Sequence, residues 1–143
     1  MDIKEVLLIV DDETAICEML SRHFRFRGYD VVTAGNGAEA VGILKKQVID
    51  VVITDLMMPV MDGVALLKII RNEYPMVHAI VMTGYVTLEN LLAAMRYGAD
   101  TCVFKPLDDM EEMTQAVASA CSTLAGWKKK LAELSGLFKE GDR

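Results

Sequence analysis

Short runs of consecutive apolar residues alternate along this chain with longer stretches whose apolar positions recur every three or four residues. The runs Val6–Val10, Asp30–Ala34, Val51–Thr54, Ala79–Met82 and Thr101–Phe104 predict five strands. The central runs are continuous rather than alternating, as in parallel strands covered on both faces. Helical spacing predicts helices over about Thr14–Arg27, Ala38–Gln47, Val64–Glu73 and Leu88–Tyr97, and a last one beginning near Asp108. Gly28 and Gly98 stand just past two of these, where a helix turns out of its path. Strands alternating with helices predict an α/β domain with a doubly wound parallel sheet. In such folds ligands bind at the carboxyl ends of the strands, near the point where the strand order reverses.

The last helix carries a second pattern. Met110, Met113, Val117, Ala120, Leu124, Trp127, Leu131, Leu134 and Phe138 are spaced 3-4-3-4, an unbroken heptad repeat. A helix from Asp108 to Phe138 would run about 46 Å, against about 30 Å for a small domain. Its final third is therefore expected to project or to pack elsewhere, as a coiled-coil or dimerising extension with Trp127 as anchor. The plainer expectation is a fifth sheet-covering helix with a frayed end, weakened by Gly126, Ser135 and Gly136.

Composition narrows the class. The chain has 143 residues, 52% hydrophobic and 25% charged, which is ordinary globular usage for one domain. A net charge of −6 counts against a chain-wide nucleic-acid surface. The first 126 residues carry −8 and residues 127–143 carry +2, so a mildly basic tail follows an acidic body. Cys17, Cys102 and Cys121 are far apart and lack metal-site spacing, as expected of reduced thiols in a cytosolic protein. The first apolar run is only five residues long and is closed by Asp11-Asp12-Glu13, so it makes no signal peptide. No run approaches the length of a membrane span. A cytoplasmic location without membrane insertion is the expectation.

The chemistry lies where the runs stop. Asp11 and Asp12 end the first strand, Asp55 the third, Thr83 the fourth, and Lys105, followed by Pro106, the fifth. Three converging carboxylates repel one another, and a hard divalent cation with oxygen ligands offsets that repulsion. Lys105 and Thr83 then offer a point charge and a hydroxyl to phosphoryl oxygens. A carboxylate can act as a nucleophile and form an aspartyl phosphate, with Asp55 as candidate. Acids at the first strand–helix turn, in place of a glycine-rich loop, count against a nucleotide or flavin binder. Leu56 and Met57 leave no second Asp two residues after Asp55, which counts against a phosphohydrolase of the haloacid-dehalogenase type. A small hydrolase using Asp55 remains the alternative from another class.

Val-Asp-Asp-Glu at 10–13, Asp55 followed by Met58-Pro59 and Asp62-Gly63, Met82-Thr83-Gly84, and Lys105-Pro106 together resemble the receiver domain of two-component response regulators. The resemblance covers roughly residues 4–122. It implies strand order 2-1-3-4-5 and phosphoryl transfer to Asp55 from a histidine kinase or histidine phosphotransfer protein. It implies Mg²⁺, or Mn²⁺ in its place, held by Asp12 and Asp55 directly, by Asp11 mainly through water, and by the backbone carbonyl of Met57. Thr83 and Lys105 would contact the phosphoryl group, and the Lys105–Pro106 peptide would be cis. The chain would then divide into a receiver at 1–122 and a helical extension at 123–143, for dimerisation or as a linker. Output would pass to a downstream protein, or to a further module if the chain is a receiver from a larger transcription factor or hybrid kinase. It would involve no direct nucleic-acid contact.

The chain departs from the family at two points. Cys102 stands where the family often has an aromatic coupled to the threonine, with Tyr85 as a candidate substitute. Met57 and Tyr85 hold the positions flanking the phosphoryl group, and neither readily orients an attacking water, so a long-lived phosphate is expected. Asp62 is expected to cap the third helix, Gly63 to permit a tight turn, and Met57, Met58 and Met61 to give apolar cover. His23 and His78 read as surface or boundary residues.

Overall fold

Each apolar run becomes a strand because both of its faces find a helix layer to cover them. In the computed structural model, which describes residues 3–84 and 87–141 and side chains through residue 136, strands and helices alternate throughout. The elements are β1 (Val6–Val10), α1 (Thr14–Phe26), β2 (Asp30–Ala34), α2 (Gly37–Lys46), β3 (Val51–Thr54), α3 (Gly63–Glu73), β4 (His78–Thr83), α4 (Leu88–Arg96), β5 (Thr101–Phe104) and α5 (Glu111–Gly141). The strands form one parallel sheet in the order β2-β1-β3-β4-β5, with β3 at its centre and β2 and β5 at its edges.

Alternation within each strand divides the core into two layers. Leu7, Ile9, Ile53, Ile80, Met82 and Val103 pack beneath α1 and α5 against Leu20, Phe24, Met113 and Val117. On the opposite face, Leu8, Val10 and Val52 meet Ala40, Leu44, Leu66 and Ile70, while Val81 meets Leu67 and Ala94. Burying each such Leu, Ile, Val, Phe or Met contributes about 1.5–3 kcal/mol, so sheet and helices are stable only together.

The strand boundaries differ from the sequence expectation at β4, which runs one residue further at each end. His78 pairs in register with Val51, and Thr83 with Phe104. Both added residues are polar, so the apolar run could not reveal them. α1 and α4 each end one residue early, with Arg27 and Tyr97 as C-terminal caps. α2 begins one residue early at Gly37 behind its cap Asn36, and its expected last residue, Gln47, is its C-terminal cap. α5 begins at Glu111 instead of near Asp108, because the Asp109 side chain accepts the Glu111 N–H at 2.9 Å. Gly28 and Gly98 turn the chain out of α1 and α4 with φ of 97° and 85°, in the left-handed region.

α5 is 31 residues long. Met113, Val117, Ala120 and Leu124 are buried, whereas Trp127, Leu131 and Leu134 on the same stripe are 60%, 49% and 49% exposed. Among the described residues, the ion pair furthest along α5 that reaches the body is Lys128 Nζ to Asp50 Oδ1, at 3.0 Å. The side chain of Phe138 lies outside the described residues. No described helix is long and apolar enough to cross a membrane.

Candidate functional site

The sheet ladder itself carries the candidate residues into position. Beyond the ends of β1 and β3, Asp11 N–H still donates to Ala34 O (3.1 Å), and Asp55 N–H to Val10 O (3.0 Å). Lys105 N–H likewise donates to Thr83 O at 2.9 Å. The side chains of Asp11, Asp12, Asp55, Thr83 and Lys105 therefore start from one edge of one sheet. Asp11, Asp55 and Thr83 are buried, and Asp12 is exposed.

Gly63 closes the site from below. Its N–H donates to Leu56 O at 2.9 Å, and a Cβ there would lie inside the contact distance of the Asp55 carbonyl oxygen. The residue is thus demanded by a close approach of α3 to Asp55, which is more than the tight turn expected from sequence. Asp62 caps α3 as expected, its Oδ1 accepting the Ala65 N–H at 2.9 Å. In the loop between, Val60 takes φ 69°, in the left-handed region, with its side chain exposed. Of the three loop methionines, Met57 is half exposed and Met58 packs against the core beside α2 and α3.

Charge is unevenly distributed here. Asp55 Oδ1 accepts the N–H groups of Leu56 (2.7 Å) and Met57 (3.3 Å), and its Oδ2 lies 2.8 Å from Lys105 Nζ. Asp11 Oδ1 accepts the Glu13 N–H at 2.8 Å. Asp11 Oδ2 also lies 2.8 Å from Lys105 Nζ, yet it is buried and has no aligned hydrogen-bond donor. Burial pushes the Asp11 carboxyl upward, opposed by Lys105 and the Glu13 N–H. Burial alone would lower the Lys105 ammonium, but its two carboxylate partners outweigh that and hold it well above the ordinary lysine range. Glu13 approaches the same ammonium at 3.6 Å, and sequence reasoning had given it no part beyond the motif.

Asp11, Asp12 and Asp55 each offer an oxygen, and these lie within 4.8 Å of one another. An oxygen-only donor set with one buried, donorless carboxylate oxygen fits a hard cation such as Mg²⁺, which prefers one or two carboxylates and keeps several waters. Asp11, Asp12, Asp55, Thr83 and Lys105, each expected from the sequence to stand at a strand end, meet at this edge. The Lys105–Pro106 peptide is cis. Tyr85, named for two roles from the sequence, lies outside the described residues.

Phe104 was passed over by sequence reasoning. It stands in register with Thr83, and Val103 beside it points under α5, so Phe104 and Cys102 share the sheet face that Thr83 and α4 occupy. It is 46% exposed. Its place directly before Lys105 was the available signal.

All three cysteines are free thiols shifted upward, chiefly by burial, Cys121 to about 11. Protonated thiols make poor redox sensors. His23 bonds the Thr114 hydroxyl at 2.8 Å, and His78 pairs with Asp100 at 2.8 Å.

The sequence profile of the response regulator receiver domain matches residues 7–118. The chain is 36% identical over 100 residues to the probable transcriptional regulatory protein TcrX of Mycobacterium tuberculosis, covering 70% of this chain and 43% of TcrX. It is 37% identical over 128 residues to the regulatory protein AtoC of Escherichia coli, covering 90% of this chain and 27% of AtoC. The chain thus spans less than half the length of these relatives. A CheY-like receiver domain protein of Methanospirillum hungatei superposes with TM-score 0.80 at 27% identity, over 90% of this chain and 99% of that one. The response regulator TrrA of Thermotoga maritima, crystallised with Mg²⁺ and beryllium fluoride, superposes with TM-score 0.73 at 30% identity, over 81% and 98%. With the profile covering most of the sequence and the sheet order and acidic edge in place, this chain belongs to the response regulator receiver domain family.

Proposed function

We propose that this receiver takes a phosphoryl group onto Asp55 from the phosphohistidine of a histidine kinase or histidine phosphotransfer protein, and thereby changes what it binds. The observation that carries the reading is the cluster of Asp11, Asp12 and Asp55 oxygens bridged by Lys105 at 2.8 Å to two of the three. As the Asp55 carboxylate attacks, a P–O bond forms and the donor's P–N bond breaks, with the electron pair leaving on the imidazole.

Mg²⁺ bound by Asp12, Asp55 and the Met57 carbonyl, and through water by Asp11, would neutralise charge on the transferring group. Lys105 holds a phosphoryl oxygen as a point charge, and Thr83 offers its hydroxyl to another. The two N–H donors to Asp55 Oδ1 keep the carboxylate oriented for attack. Met57 flanks the site with a thioether that orients no water, which supports a long-lived phosphate. The added charge of about −1.5 to −2 biases Thr83 and the neighbouring α4–β5 surface toward a second arrangement.

The partners follow from this chemistry: a phosphohistidine donor, and a protein effector or second histidine as the output, in the cytoplasm. The chain is a signalling domain and no classical enzyme. The AtoC match extends past the end of the receiver profile. That supports a second role for residues 123–143, as the link to a further module in a longer regulator.

The test is incubation with a small-molecule phosphodonor and Mg²⁺. The expected result is one equivalent of alkali- and hydroxylamine-labile phosphate per chain, absent in Asp55→Asn and in the presence of a chelator. Steady turnover of the phosphodonor without accumulation on the protein would favour the hydrolase alternative and overturn the switch.

A further inference from the structure

We propose that the groove between α1 and the open edge of β2 binds a small phosphate monoester with a hydroxylated body, a sugar phosphate in chemical class, apart from the Asp55 site. The groove is an open cavity of about 520 Å³, within the size range of small-molecule sites. One wall is a face of α1, where Thr14, Glu18, Arg22 and Arg25 recur every three or four residues. Cys17 and Ser21 lie buried on the same helix, and Thr33 of β2 stands on the other side.

The first reason is an orphan hydroxyl. Ser21 is 6% exposed, and its Oγ has no hydrogen-bond partner. A buried hydroxyl left unpaired costs stability. Packing does not call for one here, since Cys17, Leu20 and Phe24 seat α1 on the sheet. Ser21 lines a cavity large enough to hold the group that would pair with it.

The second reason is that the donors select an oxyanion. Arg25 Nη2 donates to Val31 O at 3.1 Å, which holds the guanidinium at the strand edge with its other N–H groups uncommitted. Arg22 meets no carboxylate within ion-pair distance among the described residues. β2 pairs with β1 alone. Asp30 N–H and Ala34 O are bonded on the β1 side, so alternation turns the Thr33 N–H to the open edge. A planar carboxylate is satisfied by one guanidinium fork, whereas a phosphate dianion has three free oxygens and charge for both arginines.

The rest of the lining sets the ligand's body. Thr14 follows Asp12 and Glu13 in the chain, and those acids repel a phosphate, so it settles by Arg22 and Arg25 instead. Glu18 and Thr14 then face the remainder of the ligand, and a carboxylate beside a hydroxyl accepts sugar hydroxyls.

The inference does not depend on the phosphoryl-acceptor reading. It is tested by amide NMR on Asp55→Asn protein in chelator, where neither Mg²⁺ nor the acceptor takes part. Ribose-5-phosphate, inorganic phosphate and ribose are titrated at constant ionic strength. The expected result is saturable shifts at Ser21, Arg22, Arg25 and Thr33 with ribose-5-phosphate, weaker binding of inorganic phosphate and none of ribose. Arg22→Gln weakens binding about tenfold, the loss of one charge-assisted hydrogen bond. Lys129→Gln, which removes one positive charge from α5, leaves it unchanged. Ser21→Ala weakens binding about threefold yet raises the urea midpoint of the free protein, because the unpaired hydroxyl is gone. A residue serving structure alone would not give both changes. Shifts that do not saturate, or that centre on Asp12 and Lys105, overturn the site. Binding as tight in Ser21→Ala and Arg22→Gln as in the parent overturns it too.

Discussion

Both ends of the sheet hold a buried aspartate against a lysine, and the two pairs are built to opposite ends. At the amino edge, Asp50 Oδ2 accepts the Val6 N–H at 2.8 Å and Oδ1 meets Lys128 at 3.0 Å. One carboxylate, one ammonium and one amide leave no oxygen without a partner. At the carboxyl edge, three carboxylates share one lysine, and the buried Asp11 Oδ2 has no partner beyond that shared, poorly aligned ammonium. The backbone repeats the contrast. The left-handed turns at the amino edge are taken by Gly28 and Gly98, whereas at the carboxyl edge the exposed, β-branched Val60 takes one. The lesson is that a buried charge pair marks function only when its ledger of partners fails to close.

The comparison breaks most sharply on phosphoryl uptake. Asp55→Asn is expected to reduce incorporated phosphate to background, and Asp50→Asn to leave it at one equivalent, by acid-quenched labelling. Stability gives the next largest effect. Asp50→Ala strands the Val6 N–H and Lys128 and is expected to cost about 2 kcal/mol in urea unfolding. Asp55→Asn in chelator is expected to cost nothing or to stabilise, since it relieves repulsion among the acids. If both substitutions destabilise alike, the two edges are equivalent and the contrast fails.

Val60→Gly is expected to stabilise by about 1 kcal/mol, because glycine adopts the left-handed region without the Cβ clash. Lys128→Ala, at a half-exposed position, is expected to cost no more than about 1 kcal/mol after solvent screening. The smallest effect is a pH dependence at the amino edge, where burial, aided by Glu5 and Asp50, lifts the Cys121 thiol to about 11. The folded state keeps that proton while the unfolded chain loses it near its ordinary value of 9.0. This contribution to stability is therefore complete below pH 9 and is lost as pH rises toward 11. Iodoacetamide should accordingly modify native Cys121 far more slowly than urea-unfolded Cys121 at pH 8, as read by peptide mapping.

Much of the architecture was legible because apolar runs here have sharp polar ends. Asp11, Asp55 and Lys105 each close a run, so strand and site were read from the same boundary. Where polar residues belong to a strand, the reading stopped short, as at His78 and Thr83. Phe104 escaped because β5 read as a continuous run, while the structure makes it an edge strand with Thr101 and Phe104 exposed. The Asp50–Lys128 pair joins residues 78 apart, and no local pattern encodes it. The extra length of α5 was visible as a heptad repeat, but where the body stops covering it depends on the three-dimensional edge of the sheet.

The ladder hydrogen bonds that reach past β1 and β3 have a consequence for exchange with solvent water. Asp55 N–H is bonded to Val10 O in the central β1–β3 pair, and Asp11 N–H to Ala34 O of the neighbouring edge strand β2. Those amide hydrogens can be replaced by deuterium only when the sheet opens, so they should exchange among the slowest in the molecule although they lie at a ligand-binding rim. If Asp55 is the phosphoryl acceptor proposed above, a donor would meet it at the same place on every encounter.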